Sequence, residues 1–199
     1  EFELYEQPLN LARGKVATAD SYVTGETPSL AVDGFVSQLV DDSWDAPADS
    51  KWHATATGNK WLRVDLGSAK SVLKWVVHLA GAGGEDPRFN TLNFQLQGSA
   101  DAKTWTTLDT VTNNRSNTTN RNLPTAKSYR YFQLWITGPS NYPSDHDARI
   151  YEFQLYGPEV LPTPPATFTE VLDAFPHHTK TLKLMKYDSE AAVYFDQDS

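Results

Sequence analysis

The chain has 199 residues, of which 39% are hydrophobic and 12% aromatic, a composition typical of a folded globular protein and not of a disordered one. Its net charge of -8 without a basic cluster argues against nucleic acid and anionic membranes as partners. No apolar run reaches the roughly 18 residues that a membrane-spanning helix needs, and the absence of cysteine excludes disulfides and thiolate metal sites.

Strand patterns dominate the chain from about residue 10 to 157. Apolar and polar residues alternate over short runs that end at Gly, Asn, Asp or Pro, as in β-strands joined by turns. The predicted strands cover residues 61–66, 72–79, 91–97, 105–111, 129–137 and 150–156. Many short strands with almost no helical periodicity predict an all-β sandwich. We assign the tryptophans of these patterns to core or cross-strand packing, namely Trp61, Trp75, Trp105 and Trp135.

The sequence changes in character after residue 157, where the last strand ends. Residues 161–166 read Leu-Pro-Thr-Pro-Pro-Ala, which predicts a semi-rigid linker of polyproline character. Beyond it, a short helix is predicted at 168–175 and two strands at 180–187 and 191–195. We therefore expect a main domain at 1–157 and a linker at 158–167. Residues 168–199 are too few for an independent core, so they form the start of a following domain or a tail that docks on the sandwich.

Several short motifs occur in the order found in discoidin domains. They are Asn10-Leu-Ala-Arg-Gly-Lys15, Ala31-Val-Asp-Gly34, Ser50-Lys-Trp52, Trp61-Leu-Arg-Val-Asp-Leu-Gly67, Gly98-Ser-Ala-Asp101 with Trp105, Tyr129-Arg-Tyr-Phe132 and Tyr151-Glu-Phe-Gln-Leu-Tyr-Gly157. The set resembles the coagulation factor V/VIII type C (discoidin) superfamily, and within it carbohydrate-binding module family 32, over residues 8–157. The resemblance implies a jelly-roll β-sandwich of about eight strands with ligand loops at one end. Phospholipid-binding members usually carry a terminal cysteine pair and basic residues, and this chain has neither the cysteines nor the charge.

The resemblance also implies a structural calcium ion. Family members bind it through an Asp in the Asp-Gly turn, a Ser or Thr, a Glu on the last strand and nearby carbonyls, and calcium takes about six to eight such oxygens. In this chain the ligands become the side chains of Asp33, Ser50 and Glu152 and the carbonyls of Leu30, Phe35 and Tyr151. The loop 35–49 is longer than usual, so Ser50 could be replaced by Asp41, Asp42 or Ser43. The alternative is that Asp33 only caps its own turn and Glu152 is a solvated strand residue.

The resemblance places a sugar site on the same loops. Galactose-binding relatives often carry a Trp-His pair after the metal loop and an Arg ahead of the next strand, which correspond here to His53 and to Arg88, followed by Phe89 and Asn90. An imidazole and a guanidinium can hydrogen-bond sugar hydroxyls. The alternatives are a loop histidine satisfied by the backbone and a surface salt bridge of the arginine.

An aromatic ring that stacks on the C–H groups of a pyranose completes such a site. Some relatives supply it three residues after the His, where this chain has Ala56. We expect Trp44 in this role, because it lies in a polar loop without a strand pattern, although it could instead cover that loop. Phe89 and Tyr142 are the next candidates.

The loop before the final strand reads Ser144-Asp-His-Asp-Ala148. In the family this loop borders the binding face, so Asp145 and His146 are secondary ligand candidates. One histidine between two acids is a weak zinc pattern, and an ordinary hydrophilic loop is the alternative.

No catalytic pattern accompanies these residues. A glycosidase needs two carboxylates about 5–9.5 Å apart, and no pair stands out in a strand-end position. Motifs of serine hydrolases, zinc proteases and phosphate loops are absent. We therefore expect a non-catalytic, monomeric carbohydrate-binding module for a terminal galactose-like or amino-sugar glycan, covalently linked to a catalytic domain and secreted or at the cell surface.

The chain begins at Glu1 without a methionine, so we expect it to be a processed or excised piece. The competing function is a protein- or cell-surface-adhesion module without sugar specificity, since discoidin domains also serve adhesion.

Overall fold

A computed structural model describes residues 9–36 and 50–158 in full and only the backbone of 182–187 and 190–195. The chain divides into two units, Glu1–Pro158 and Glu159–Ser199. Several predictions fall outside the described residues. They concern Trp44, the alternative metal ligands Asp41, Asp42 and Ser43, the linker residues 159–167 and the helix at 168–175.

Unit 1 is an antiparallel β structure, as the sequence predicts. Its described strands are β1 (Val16–Ala19), β2 (Trp52–Ala54), β3 (Lys60–Leu79), β4 (Asn93–Ser99), β5 (Thr106–Val111), β6 (Thr118–Gly138) and β7 (Ala148–Tyr156). They pair in the order β2-β7-β3-β6-β4-β5, with β1 on β3. Three 3₁₀ turns lie in the connections, at Pro28–Val32, Ala80–Gly83 and Pro87–Phe89.

The two long strands, β3 and β6, connect the layers of the sandwich. They pair from Lys60↔Ile136 to Asp65↔Tyr131 and again from Lys70↔Tyr129 onward, with a register shift between. Gly67 lies in this shift with φ +81°, which glycine adopts without steric cost. The first half of β3 pairs with β1 and the second half with β7, so each half belongs to a different layer. The predicted strands at 61–66 and 72–79 are therefore two halves of one strand.

The core is formed by the inward side chains of the strands. Alternation buries every second residue, as in Leu62 and Val64 of β3 and in Phe132 and Leu134 of β6. Burial of each such side chain contributes about 1.5–3 kcal/mol to folding. Trp75 is part of this core and packs edge-to-face on Phe94, with ring centroids 6.0 Å apart.

The other strand tryptophans lie outside the core cluster and are half-buried. Trp61 and Trp135 stand directly opposite each other on β3 and β6, which confirms cross-strand packing for this pair. Trp105 stacks with the guanidinium of Arg63, 4.7 Å from its ring centroid.

Four connections gather at one end of the sandwich, which we call the loop end. They are residues 55–59, 80–92, 112–117 and 139–147. Backbone hydrogen bonds join them, from Leu79 N to Asn117 O at 2.9 Å, from Asn114 N to Leu92 O at 2.9 Å and from Asn141 N to Asn90 O at 3.0 Å. The loop end is therefore a braced surface.

Unit 2 contains an antiparallel hairpin of β8 (Leu182–Tyr187) and β9 (Glu190–Phe195), which confirms the two predicted strands. Among the residues described in either unit, none forms a helix of the length and hydrophobicity that crossing a membrane requires.

Candidate functional site

The predicted metal ligands Asp33, Ser50 and Glu152 converge although they are far apart in the sequence. Ser50 Oγ is hydrogen-bonded to Asp33 Oδ2 and lies 3.4 Å from the carbonyl oxygen of Leu30. The backbone N–H of Gly34, next to Asp33, donates to Glu152 Oε2 at 3.2 Å. We call Leu30, Asp33, Ser50 and Glu152 the oxygen cluster.

Glu152 is the buried member of the oxygen cluster. Its side chain is fully buried on β7, and no basic side chain among the described residues forms an ion pair with it. The pKa of Glu152 is raised to about 8, mainly by burial and also by the negative charge of Asp33. The hydrogen bond from the backbone N–H of Gly34 acts in the opposite direction and is outweighed. Glu152 is thus a buried strand residue, and the alternative of a solvated one is excluded.

The donor set of the oxygen cluster fits a calcium ion. Two carboxylates, a hydroxyl and a carbonyl are hard oxygen ligands of the kind calcium prefers, and two negative charges match its charge. Asp33 also caps its own turn, because its Oδ1 accepts the N–H of Phe35 at 2.8 Å. Tyr151 precedes Glu152 in β7, but its hydroxyl points elsewhere and donates to Glu85 Oε1 at 2.8 Å.

A second set of charged side chains lies at the loop end and is internally paired. We call it the ionic network, and its members are Glu26, Lys51, His53, Glu85, Asp145, Asp147 and Arg149. Lys51 Nζ bridges Glu26 at 3.2 Å and Glu85 at 3.0 Å. Arg149 reaches Glu85 at 3.3 Å, Asp145 at 2.8 Å and Asp147 at 3.2 Å.

These pairs determine the protonation of the network. Burial raises the pKa of Glu26, but the hydrogen bond to His53 and the charge of Lys51 outweigh it, so the pKa lies below its usual value. Burial likewise raises the pKa of Asp145, and hydrogen bonds from Arg149 bring it below the ordinary value. Burial lowers the pKa of Lys51, but the hydrogen bond and charge of Glu85 outweigh it and the net pKa is raised. Glu26, Asp145 and Lys51 are therefore charged at neutral pH.

His53, which the sequence predicts as a sugar ligand, is a member of this network. Its Nδ1 is hydrogen-bonded to Glu26 Oε2 at 2.6 Å and its Nε2 to Asp147 Oδ2 at 3.0 Å. Both ring nitrogens are thus engaged with carboxylates. In this structure the imidazole organises the loop end and has no free nitrogen to offer a ligand.

Arg88, Phe89 and Tyr142 form an exposed patch at the loop end. The Arg88 guanidinium lies 5.4 Å from the ring centroid of Phe89 and 5.3 Å from that of Tyr142, and the two rings meet edge-to-face at 6.3 Å. Its Nε donates to Asp86 at 2.8 Å, a surface pair that leaves the Arg88 side chain 54% exposed. Arg149 packs under Phe89, 4.8 Å from its centroid, and joins this binding patch to the ionic network.

Asn90 differs from its predicted role as a ligand residue. Its side chain is fully buried, its Oδ1 accepts the N–H of Gly81 at 2.7 Å, and its Nδ2 donates to Asn117 Oδ1 at 2.9 Å. Through these hydrogen bonds the Asn90 amide joins the connections 80–92 and 112–117. Asn90 therefore supports the loop end from inside and is not exposed on its surface.

The loop 139–147 carries the remaining predicted residues. Asp145 is held by Arg149 in the ionic network. His146 is exposed and lines a cavity of about 340 Å³. Among the fully described residues, no three His, Cys, Asp or Glu side chains are arranged to hold a metal ion, so the loop shows no zinc geometry.

Sequence reasoning missed Glu26, Lys51, Glu85 and Arg149. Each is an ordinary charged residue in a loop or at a strand end, and the partners that join Glu26, Lys51, Glu85 and Arg149 to one another are 25 or more residues apart in sequence. The single local signal is the spacing of Asp145 and Arg149, which pair across four residues.

A profile of the NedA-like, galactose-binding domain family, of F5/F8 type C, matches residues 30–134, which is more than half of the chain. The chain belongs to the F5/F8 type C family. The matched segment contains most of the oxygen cluster and the Arg88 and Phe89 part of the binding patch. No curated protein matches the chain.

Solved structures of the F5/F8 type C fold resemble unit 1. The family 32 carbohydrate-binding module of Streptococcus pneumoniae EndoD is 23% identical, with a TM-score of 0.62 over 75% of this chain and 99% of that one. A variant of chitosan-binding module 1 from a Paenibacillus sp. IK-5 chitosanase/glucanase is 24% identical, with a TM-score of 0.59 over 76% and 100% of the two chains. A family 32 module from Clostridium perfringens, in complex with GalNAc-β-1,3-galactose, is 14% identical, with a TM-score of 0.59 over 75% and 100%. These structures establish the fold, and all three are named as binding modules.

Proposed function

We propose that the chain is a carbohydrate-binding module that binds a terminal galactose-like or amino-sugar residue at its loop end. The observation that carries the proposal is the binding patch, where an exposed guanidinium lies over two aromatic rings. Aromatic rings stack on pyranose C–H groups, and a guanidinium offers fixed donors to neighbouring hydroxyls. The solved relatives support this class of ligand, because they include modules that bind chitosan and GalNAc-β-1,3-galactose.

The charge beside the patch favours neutral or cationic sugars over acidic ones. The ionic network holds four carboxylates, Glu26, Glu85, Asp145 and Asp147, against the cations Lys51 and Arg149 and the histidine His53, which leaves at least one negative charge whichever form His53 takes. A uronic acid would meet this excess, whereas the ammonium group of a glucosamine would be attracted. The net charge of -8 acts in the same direction.

Calcium would have a structural role in this function. Asp33, Ser50, Glu152 and the carbonyl of Leu30 would hold the ion, with the carbonyls of Phe35 and Tyr151 as further candidates. An ion there would neutralise the buried Glu152 carboxylate and tie β7 to the turn at Pro28–Val32. It would not take part in chemistry, since we propose that this chain binds and does not catalyse.

The module would target an attached enzyme of the secreted or cell-surface kind. Weak binding at a single site is useful when a tether raises the effective concentration of a catalytic domain near its substrate. The Pro-rich sequence at 161–166 has the composition of such a tether.

A glycan array tests the proposal directly. The chain, in calcium-containing buffer, is applied to terminal galactose, GalNAc, GlcNAc, fucose, glucosamine and uronic acid glycans. We expect reproducible binding to neutral or amino sugars and none to uronic acids. A blank array together with specific capture of a protein partner would instead favour the adhesion function, and preferential binding of uronic acids would contradict the charge argument.

A further inference from the structure

Three side chains stand in line across the outer face of β3, β6 and β4. Trp61 is the register partner of Trp135, and Trp135 is the register partner of Gln95. All three are half-buried, and neither tryptophan belongs to the core. Outer faces of antiparallel sheets are usually polar, so two adjacent half-exposed tryptophans call for an explanation beyond folding.

A second row of side chains holds the first in place. The guanidinium of Arg63 lies 4.4 Å from the ring centroid of Trp61 and donates to Gln133 Oε1 at 3.3 Å. Gln133 donates to Gln97 at 2.7 Å, and Gln97 donates to Gln95 Oε1 at 3.0 Å. This chain of hydrogen bonds fixes the orientation of the Gln95 amide. Its Nε2 donor has no partner among the described residues and is not buried, so it remains available to a ligand.

The row continues into the cavity that His146 lines. Thr137 follows Trp135 by two residues in β6, so the two side chains lie on the same face of the strand. Thr137 lines the cavity of about 340 Å³ together with Thr57, Gly58, Asn59, Pro139 and His146. That volume is within the range of small-ligand sites, and the lining offers hydroxyl and amide groups without a carboxylate.

One wall of the cavity is fixed from inside the protein. Lys60 is fully buried at the start of β3, and its ammonium donates to the carbonyl oxygens of Ala56 and Gly58, the latter at 3.4 Å. A buried cation that bonds two carbonyls holds the loop 55–59 in one conformation. Lys60 thus braces the loop that forms one wall of the cavity.

We propose that the cavity and the Trp61–Trp135–Gln95 row form a second carbohydrate subsite that binds a neutral pyranose residue of an oligosaccharide. This inference rests on the proposed function and extends it, because the residues that line the cavity are different from Arg88, Phe89 and Tyr142 of the binding patch. The tryptophans supply a stacking surface, and Gln95, Asn59 and Thr137 supply hydrogen-bonding groups for hydroxyls. The module thus binds more than the terminal residue of a glycan.

The test compares monosaccharides with oligosaccharides of the same sugar on the 199-residue chain. Galactose and β-1,4-galactotetraose form one pair, and N-acetylglucosamine and the fully N-acetylated chitotetraose, which are also neutral, form the other. We expect one tetrasaccharide to bind more tightly than its monosaccharide and to shift the indole N–H NMR signals of Trp61 and Trp135. Trp135→Ala should weaken that tetrasaccharide by about three- to tenfold, the size of one aromatic contact, and leave the monosaccharide unchanged.

Two further variants separate binding from folding. Tyr131 lies on the same face of β6 as Trp135 but four residues further from the cavity. Tyr131→Ala should therefore bind the tetrasaccharide like the wild type. Thr137→Arg should fill the cavity and remove the oligosaccharide advantage at an exposed position that folding does not depend on. These controls keep the test valid if Trp135→Ala lowers stability.

Several outcomes would overturn the second subsite. It fails if both tetrasaccharides bind no better than their monosaccharides, if Thr137→Arg binds the tetrasaccharide like the wild type, or if the Trp61 and Trp135 signals stay unchanged. Each of these leaves the proposed function intact as long as the monosaccharide binds and Arg88→Ala abolishes that binding. Loss of all sugar binding in the wild type would instead refute both. Capture of an acidic or protein ligand by the Trp61–Trp135 face would refute the neutral-pyranose assignment.

Discussion

Two groups of carboxylates in unit 1 differ in how their negative charge is balanced inside the protein. In the ionic network, every half-buried carboxylate has a lysine, arginine or histidine within about 3.3 Å. In the oxygen cluster, Asp33 and Glu152 accept hydrogen bonds from a hydroxyl, from the backbone and from the amide of Asn10, but they form no ion pair among the described residues. Buried charges are stable when they are paired or bound to a metal. The comparison shows that the network is internally paired, and we propose that the oxygen cluster takes up a cation from solution.

The pKa values express the same contrast. Interactions within the network lower the pKa of Glu26 and Asp145, while burial raises that of Glu152 to about 8. A carboxylate with a lowered pKa stabilises the fold when ionised, and one with a raised pKa destabilises it when ionised. Removing a charged partner should therefore harm the network, and adding a cation should help the cluster.

The largest effect is expected from Lys51→Met. Lys51 is largely buried between Glu26 and Glu85, and its loss would leave two half-buried carboxylates facing each other without their shared cation. We expect a decrease of about 3 kcal/mol in the free energy of unfolding, measured by urea denaturation. The exposed pair Arg88–Asp86 is the control, and Arg88→Met should cost about 1 kcal/mol or less. Equal effects of the two variants would show that the network is not a buried structural unit.

Calcium should produce the next largest effect, and only through the oxygen cluster. An ion that binds the folded chain alone, at about 100 times its Kd, stabilises by about 2.7 kcal/mol, or roughly 5–10 °C in Tm for a domain of this size. Thermal melting of the wild type should therefore shift between calcium and chelator. Glu152→Gln and Asp33→Asn should abolish that shift, while Asp86→Asn should retain it. A wild-type Tm that is indifferent to calcium would mean that the cluster does not bind the ion.

The oxygen cluster and the ionic network should make folding stability depend on pH in opposite directions, a smaller effect that distinguishes the two groups. In chelator, the folded chain keeps a proton on Glu152 up to about pH 8, whereas the unfolded chain releases it near pH 4.5, so stability should fall as the pH rises through this window. The slope corresponds to roughly one proton and should disappear in Glu152→Gln and in calcium.

The ionic network should affect folding stability at acidic pH. Because the pKa values of Glu26 and Asp145 are lowered in the folded chain, their contribution is present above about pH 4.5 and is lost as the pH falls through the folded pKa values. The loss of stability at acidic pH should therefore persist in Glu152→Gln. If one substitution removed both pH dependences, the two carboxylate groups would not be separate.

The sequence predicts the parts of the site that depend on short motifs. Asp33 in its Asp-Gly turn, Ser50 before β2 and Glu152 in β7 are identified by a family resemblance, and the fold brings them together. The strand patterns give the faces of β3 and β6 correctly, because alternation is a local property. They do not show that 61–66 and 72–79 are one strand, because the register shift at Gly67 depends on pairing with β6.

The remainder of the site depends on contacts between distant residues. Nothing near Lys51 or Glu85 in the sequence shows that they form an ion pair. Nor does the sequence show that Glu26 and Asp147 engage both ring nitrogens of His53. Asn90 stands beside Arg88 and Phe89 in the sequence, yet its side chain turns inward to Gly81 and Asn117. Trp61 and Trp135 become neighbours only through the register of β3 and β6.

The most direct test of sugar binding at the loop end is calorimetric titration of the wild type, Arg88→Ala and Arg88→Lys with the sugar that the array selects, in saturating calcium. Among the described residues, Arg88 makes one exposed ion pair, with Asp86, besides its contacts with the rings of Phe89 and Tyr142, so its removal should change the Tm little. We expect Arg88→Ala to lose about 1.5–3 kcal/mol of binding free energy, or roughly 10- to 150-fold in affinity, and Arg88→Lys to recover part of it. A folded Arg88→Ala variant that binds the sugar with wild-type affinity would contradict the account.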